Sequence, residues 1–297
     1  VCAAEAHNGS VGIAVPVEGI EIDGRLSEWP EDTRDYPITL TGRGDIPKDT
    51  ADFNAHFRAG YDANRDMLYL ALDVADESVV LEGQGQDGCE VYVDLLHGDK
   101  ESPARMYAIY GDERKKRGPR GERLPWEGVE LAVRRVASKQ TYEWAIDLRE
   151  WSDRPLKVKP NMTIGIDVAV LDEDADGSSS WMTWGAGTRK RKLARRRGDL
   201  IFVDVGATTG LFRGRVGGGW LGKIKSSEAE ALWVLAGVDK EGKFSLELPA
   251  GTYEVEIGER VVVVQIKGGE VEETTFAFET SEAAAEGMGA GDSVVAG

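Results

Sequence analysis

The residues best suited to chemistry in this chain lie in an acidic turn at 171–184. Asp172, Asp174 and Asp176 alternate there and Gly177 follows, so one tight turn gathers three carboxylates. Without a counter-charge these groups would repel one another, and Ca²⁺ is a hard cation that carboxylate oxygens bind well. The turn lacks the glutamate that closes an EF-hand loop at its twelfth position. Two interpretations stay open, a calcium site and a solvated acidic hairpin.

Two tryptophans, Trp181 and Trp184, end the same stretch, and their positions differ by an odd number. On one strand they face opposite sides of a sheet, one inward and one outward. An aromatic ring that faces outward can cover the apolar C–H face of a pyranose, while carboxylates and arginines bond to its hydroxyls. The alternative for a tryptophan is a place in the core, which we expect for Trp29, Trp144 and Trp151.

A catalytic constellation is not evident in the sequence. The histidines are His7, His56 and His97, and none adjoins a nucleophile elbow of the Gly-x-Ser-x-Gly type. A glycosidase pair of carboxylates requires a separation that a sequence does not reveal. These observations favour a binding protein over an enzyme.

Composition limits the class of protein and of partner. At 297 residues the chain exceeds one average domain, and a hydrophobic content of 41% is enough for a core. The net charge of −17 argues against nucleic acid or anionic lipid as the main partner. The longest aliphatic block, 261–266, is interrupted by Gln265 and is too short to insert into a membrane.

Two dense basic segments, 114–123 and 189–197, stand out in this acidic chain. They are either solvated loops, or surfaces that grip an anionic polysaccharide or the acidic face of another copy of the chain.

The cysteines, Cys2 and Cys89, form no CxxC motif. They form either one disulfide between the N-terminal segment and a strand, which export would permit, or two unrelated thiols. The chain begins at Val1 rather than at methionine, which indicates a processed N-terminus or a fragment boundary.

Short alternating segments separated by turn residues dominate the chain, and no stretch keeps a helical period. Segments 53–59 and 67–74 flank a turn rich in Asp and Asn and predict a β-hairpin. Segments 89–96 and 105–110 predict an antiparallel pair, with the odd-numbered positions from Cys89 onward on one face. The pattern is typical of an all-β fold made of two β-sandwich domains in tandem.

The character of the sequence changes near residue 205, after which strands recur at regular spacing between Gly- and Pro-containing turns. We therefore expect four parts, an N-terminal arm, a large β-sandwich, a smaller β-sandwich and a flexible tail or linker. In the same order, these parts are 1–16, 17–205, 206–278 and 279–297.

A series of segments carries a family likeness in its order along the chain. These segments are IDGRLSEWPED (22–32), FRAGYDANRDMLYLALDVAD (57–76), CEVYVDL (89–95), YEWAIDLREW (142–151), IGIDVAVLDEDADG (164–177), SSWMTW (179–184) and GDLIFVD (198–204). The series resembles family 9 carbohydrate-binding modules and their DOMON-like relatives, over about residues 17–205. The resemblance implies a β-sandwich that displays sugar-binding aromatics and often holds structural calcium.

By this resemblance Trp184 takes the place of a sugar-stacking tryptophan, and Glu90 and Arg105 take those of polar groups that meet sugar hydroxyls. Members that clamp a sugar between two tryptophans carry the first one shortly before Glu90. This chain has LEGQGQD (81–87) there, with no aromatic residue, and Trp126 in a neighbouring loop is a candidate substitute.

The second domain carries a likeness of its own, on FRGRV (212–216) and DKEGKFSLELPAGTYEVEIG (239–258). These segments look like a carboxypeptidase-regulatory or transthyretin-like β-sandwich. That resemblance implies a non-catalytic accessory domain of an exported protein.

The sequence thus predicts a secreted or cell-surface, non-catalytic protein that binds a polysaccharide or glycan, with Ca²⁺ as its expected cofactor. Two alternatives stay open. The missing first tryptophan, the detached arm at 1–16 and the tandem domains favour a structural subunit of an extracellular assembly made of copies of the chain. Its subunits would touch through the arm, the tail and patches of opposite charge. The chain is otherwise an accessory region of a larger exported enzyme.

Overall fold

A computed structural model of the chain describes residues 7–31, 33–83, 85–98, 104–151, 156–217 and 221–277. Within these ranges the regular elements are strands and two short 3₁₀ helices, which confirms the all-β class. No helix of the described residues is long and apolar enough to cross a membrane. The 3₁₀ helices are Leu148–Trp151 and Ala194–Arg196.

The strands divide into an N-terminal and a C-terminal group. The N-terminal group is β1 (Val11–Pro16), β2 (Tyr36–Ile38), β3 (Leu40–Gly44), β4 (Phe53–Asp62), β5 (Met67–Asp76), β6 (Gly88–Asp94), β7 (Arg105–Tyr110), β8 (Glu113–Arg117), β9 (Val129–Val136), β10 (Lys139–Asp147), β11 (Met162–Glu173), β12 (Ser179–Thr183) and β13 (Gly198–Phe202). The C-terminal group is β14 (Thr209–Gly217), β15 (Leu221–Ser226), β16 (Trp233–Leu235), β17 (Lys243–Pro249), β18 (Gly251–Ile257), β19 (Arg260–Ile266) and β20 (Val271–Ala277).

The N-terminal group forms one continuous sheet that folds back into two layers. One layer has the order β8-β7-β6-β11-β13, the other has the order β4-β5-β10-β9, and β1 joins them. The first half of β11 pairs with β13 and its second half pairs with β12, which pairs in turn with β3. Because β1 joins the two layers, it closes a corner of the sandwich.

Strand β1 corrects the expectation of a detached arm at 1–16. Val11 to Ala14 pair in parallel with β13, and Val15 and Pro16 pair with β4. Val11–Pro16 are therefore part of the sheet. Their backbone forms hydrogen bonds with β13 of one layer and with β4 of the other, and so covers strand edges that would otherwise be unpaired. Residues 1–6 lie outside the described part.

Alternating side chains fill the space between the two layers. Cys89, Val91 and Val93 of β6 face this core, as their spacing predicts, and Trp144 of β10 is fully buried in it. Burial of an apolar side chain of this size contributes about 1.5–3 kcal/mol. The predicted hairpin at 53–74 is confirmed as β4 and β5, and the predicted pairing of 89–96 with 105–110 as β6 and β7. The proposed disulfide partner Cys2 is not among the described residues.

The C-terminal group forms two smaller sheets, with the orders β17-β14-β20 and β16-β15-β18-β19. They enclose a second core around Phe212, Leu246 and Tyr253. Ile13 of β1 and Ile201 of β13 also belong to that core, so the two domains pack directly on each other. A transthyretin-like origin of the smaller domain stays a prediction, and the predicted tail at 279–297 lies outside the described residues.

Candidate functional site

Four adjacent strands of the first layer, β7, β6, β11 and β12, direct alternate side chains away from the core. Their inward neighbours, such as Val91 and Val170, fill the sandwich, so the residues between them face out. Tyr92, Ala169 and Trp181 pack together on this exterior as a small cluster of their own. We call the surface the outer face; it consists of Glu90, Tyr92, Met106, Tyr110, Leu171 and Trp181.

Glu90 organises the outer face. Its carboxylate accepts hydrogen bonds from the hydroxyl of Tyr92 (2.6 Å), the hydroxyl of Tyr110 (2.5 Å) and the indole Nε1 of Trp181 (2.8 Å). Glu90 is buried, so these charge-assisted bonds compensate its desolvation and fix the orientation of three rings. The guanidinium of Arg43 lies 5.4 Å from the centre of the Trp181 ring.

An open cavity of about 520 Å³ lies beside these rings. Tyr110, Met106 and Leu171 give it an apolar floor, and charged side chains form its rim. The rim residues are Glu113, Lys115, Arg117 and Glu173. More of the cavity's lining is polar than apolar, so it surrounds one aromatic ring with several groups that can form hydrogen bonds.

The structure does not place Trp184 at this cavity. The ring faces inward, is 8% exposed, and packs edge-on against Phe57 (5.2 Å between centroids) and Tyr36 (5.9 Å). Trp181 is the outward member of the pair, so the sequence correctly predicts opposite faces. Trp181 is only 5% exposed, and Tyr110 is the aromatic residue of the outer face that borders the cavity.

The other predicted sugar-binding residues are not brought together either. Arg105 alternates with Met106 on β7 and shares the inward side with Tyr107, so it and Glu90 lie on opposite faces of the sheet. Trp126 packs 6.0 Å from Trp144 and lines a different cavity, of about 470 Å³, where β9 begins and β10 ends. Only Glu90 of the predicted set belongs to the outer face.

The acidic turn folds as its spacing predicts, with Gly177 at φ +90° between β11 and β12. Asp172, Asp174 and Asp176 line one cavity of about 220 Å³, and Asp52 from the loop before β4 lines it as well. The carboxylate of Asp176 lies 3.4 Å from the ammonium of a lysine, Lys48, and also accepts hydrogen bonds from Ser178. Asp176 is therefore neutralised without an ion.

Three carboxylates, those of Asp52, Glu77 and Asp174, have oxygens within 4.8 Å of one another. Oδ1 of Asp52 and Oδ1 of Asp172 are buried and have no hydrogen-bond partner in the described part of the chain. A set of carboxylate oxygens, some of them unsatisfied, fits a hard cation such as Ca²⁺. The sequence reveals Asp172 and Asp174 through their spacing, but Asp52 and Glu77 reach the cluster only through the tertiary fold.

Burial and neighbouring charges raise the pKa values of carboxylates in and beside this acidic group. Burial raises the pKa of Asp172 to about 7, and the charges of Asp174, Asp87 and Asp52 add to the shift. Burial also raises the pKa of Asp76 to about 8, again with Asp87 nearby. Carboxylates that are desolvated and crowded in this way retain protons unless a cation takes their place.

Comparison with known proteins identifies the family of the larger domain. Residues 22–202 match the family described as carbohydrate family 9 binding domain-like. The chain belongs to this family. The match ends in β13, so β14–β20 lie beyond the family 9 domain. No protein of curated function matches the chain.

Solved structures with the same fold support this assignment. A family 9 carbohydrate-binding module from Caldicellulosiruptor kristjanssonii, in complex with glucose, is 13% identical and has a TM-score of 0.54 over 66% of this chain and 96% of that one. The same protein in complex with cellotriose is 14% identical, with a TM-score of 0.52 over 66% and 94%. A protein of Bacteroides uniformis is 12% identical, with a TM-score of 0.50 over 65% and 99%. The likeness to these structures therefore concerns the fold of the family 9 domain.

Proposed function

We propose that this chain is a non-catalytic protein that acts outside the cell and binds a polysaccharide at the outer face of its family 9 domain. The observation that carries the proposal is the cavity beside Tyr110, whose ring is anchored by the buried carboxylate of Glu90. Support from relatives comes from a module of the same fold that binds glucose and cellotriose.

The chemistry of the cavity suits a sugar ring. Tyr110 with Met106 offers an apolar surface to the C–H face of a pyranose, and rim side chains are within reach of its hydroxyls. The ammonium of Lys115 lies 4.6 Å from the centre of the Tyr110 ring, so a sugar that stacks on this ring displaces it toward the rim. The two positive rim charges are matched by two negative ones. This balance favours a neutral polysaccharide over the anionic one that the basic segments suggest.

The acidic cluster supports a second part of the proposal, that the family 9 domain binds Ca²⁺. Asp52, Glu77, Asp172 and Asp174 supply the ligands, and the site lies at the turn between β11 and β12. The ion would replace the protons that the crowded carboxylates otherwise hold. Asp172 faces inward, as the core residue Val170 does two positions earlier on β11, whereas Leu171 between them belongs to the outer face. An ion bound by Asp172 would therefore also hold the end of the strand that carries part of the sugar site.

Affinity electrophoresis in a neutral β-glucan, with isothermal titration of cellotriose, tests the sugar site. Tyr110→Ala removes the ring beside the cavity, and we expect it to lower affinity at least about tenfold, or 1.4 kcal/mol. Trp126→Ala is the matched control, because it removes an aromatic ring from the other cavity. Loss of binding in Trp126→Ala with retention in Tyr110→Ala would move the site to that cavity. Tighter binding of an anionic polysaccharide would contradict the neutral preference.

A second candidate function, self-association, has one specific observation in its favour. Strand β19 is at the edge of its sheet, pairing only with β18 among the described residues, and it exposes Val261 (61%) and Val263 (69%). Exposed apolar side chains on an unpaired edge strand are a template for pairing with another chain. Light scattering of the wild type against Val263→Lys tests this. A wild type that stays monomeric at high concentration argues against an assembly subunit.

A further inference from the structure

A buried cluster at the junction of the two domains has the composition of a transition-metal site. His7 precedes β1, His97 follows β6 and Asp199 lies in β13, and all three side chains are buried. Oδ1 of Asp199 lies 2.5 Å from Nδ1 of His7 and 2.7 Å from Nε2 of His97. One ligating atom from each residue therefore lies within 4.8 Å of the other two. Ligands of a tetrahedral zinc ion are about 3.3 Å apart, so the contacts of Asp199 with the two histidines would lengthen by about 0.6–0.8 Å to admit the ion.

Groups around the cluster already orient each ligand. Nε2 of His7 lies 3.0 Å from the carbonyl oxygen of Gly98, and Oδ2 of Asp199 accepts a hydrogen bond from the backbone N–H of Leu235 (2.9 Å). The ring of His97 packs on Trp233, with 3.9 Å between centroids. A histidine that binds a metal through one nitrogen usually donates the other N–H to a carbonyl or carboxylate, and Nε2 of His7 lies against such a carbonyl.

The geometry around Asp199 brings the three side chains to one point. His7 and His97 each present one ring nitrogen to the same carboxylate oxygen, Oδ1 of Asp199. Two imidazole nitrogens and a carboxylate oxygen that converge in this way are a usual set of zinc ligands. The third histidine, His56, is partly exposed on β4 and takes no part in the cluster.

We propose that His7, His97 and Asp199 bind one divalent transition-metal ion, with Zn²⁺ as the best fit. Two imidazole nitrogens and one carboxylate oxygen suit zinc, whereas calcium prefers oxygen ligands alone. The ion would link the segment before β1 to two strands of the family 9 domain. Through Trp233 and Leu235 it would also stiffen the contact with the smaller domain. This site is separate from the acidic cluster and from the sugar site.

The test uses the full chain, refolded with and without Zn²⁺ because a buried site fills most readily during folding. After dialysis, elemental analysis should find about one zinc per wild-type chain. His7→Gln keeps a hydrogen-bonding side chain but removes a ligand, and we expect at least about tenfold weaker zinc binding. Co²⁺ in place of zinc should give visible absorption bands from imidazole and carboxylate ligation in the wild type and not in His7→Gln. His56→Gln is the control with the same substitution and should bind zinc as the wild type does.

Near-ultraviolet circular dichroism confirms that each variant is folded before its zinc content is compared. A folded wild type that retains no more zinc than His7→Gln would overturn the proposal. Loss of the zinc in His56→Gln would do the same, since it would assign the ion to β4. Asp199→Asn gives an independent check, because it keeps the size of the side chain and should weaken binding as His7→Gln does. Sugar affinity, measured on the same proteins, reports on the outer face alone.

Discussion

Glu90→Ala and Glu143→Ala form a matched pair of perturbations within the family 9 domain. Each glutamate is buried and accepts three hydrogen bonds, one of them from a tryptophan indole. Glu90 bonds to Trp181 on the outer face. Glu143 lies on β10, in the opposite layer of the sandwich, and accepts hydrogen bonds from the indole of Trp29 and from the backbone N–H groups of Asp23 and Gly24. The pair therefore separates a loss of stability from a loss of binding.

The magnitudes follow from the donors that each truncation leaves behind. In Glu90→Ala the hydroxyl of Tyr92 and the indole N–H of Trp181 lose their acceptor inside the protein, at about 1–3 kcal/mol each. The hydroxyl of Tyr110 borders the open cavity, where water can replace the lost acceptor at little cost. The substitution also removes a carboxylate that is desolvated in the folded protein, and this offsets part of the decrease in stability. We expect a net decrease of roughly 3 kcal/mol in the free energy of unfolding, and a similar decrease for Glu143→Ala.

Urea unfolding measures the stability of both variants, and titration with cellotriose at low temperature measures their affinity while they are folded. Glu90→Ala should lose at least about tenfold in affinity, because Tyr110 and Trp181 lose the group that orients them. Glu143→Ala should bind as the wild type does. Equal weakening in the two variants would show that binding follows general stability, and the assignment of the sugar site to the outer face would be wrong.

Three further outcomes are expected. Addition of Ca²⁺ to the metal-free wild type should raise its Tm, as measured by calorimetry. Asp172→Asn, which alters a buried carboxylate oxygen without a hydrogen-bond partner, should shrink that rise, and Asp176→Asn should keep it. The carboxylate of Asp73, 3.6 Å from Nε2 of His56, raises the pKa of this histidine above 6.5, so its NMR titration should centre above that value. The stability that the pair adds at low pH should vanish as the pH rises through the midpoint. Trp184→Ala should cost about 3–5 kcal/mol in urea unfolding and leave sugar affinity unchanged in the folded protein, because the ring is in the core.

Most of the fold could be predicted from the sequence, because strand alternation and turn residues are features of short, continuous segments. Alternation along β6 shows that Cys89, Val91 and Val93 share a face, and burial confirms it. The turn residues between β4 and β5 mark a hairpin, and the structure confirms the antiparallel pairing. The role of β1 was not predictable, since its backbone pairs with strands that lie far along the sequence. A short apolar segment near a chain end looks the same whether it is an arm or a strand.

The candidate sites were less predictable, for a geometric reason. Spacing shows that Trp181 and Trp184 face opposite sides, but not which side is the core, because both rings have the same polarity and size. The choice depends on what lies across the sandwich, and there Phe57 and Tyr36 enclose Trp184. A family resemblance likewise predicts a residue's position along the chain better than the direction of its side chain. Arg105 is an example, because its side chain lies on the opposite face of the sheet from Glu90.

One hairpin explains why the acidic cluster and the outer face occur together. Strands β11 and β12 alternate strictly near the turn, so Asp172 and Ser180 point toward the carboxylates while Leu171 and Trp181 point outward. The hydroxyl of Ser180 donates a hydrogen bond to Asp172 across the pair, and Trp181 bonds to Glu90 on the other side of the sheet. A shift of one residue in this register would turn Asp172 and Ser180 outward and Leu171 and Trp181 inward. The turn that gathers the carboxylates therefore also fixes which tryptophan reaches the outer face.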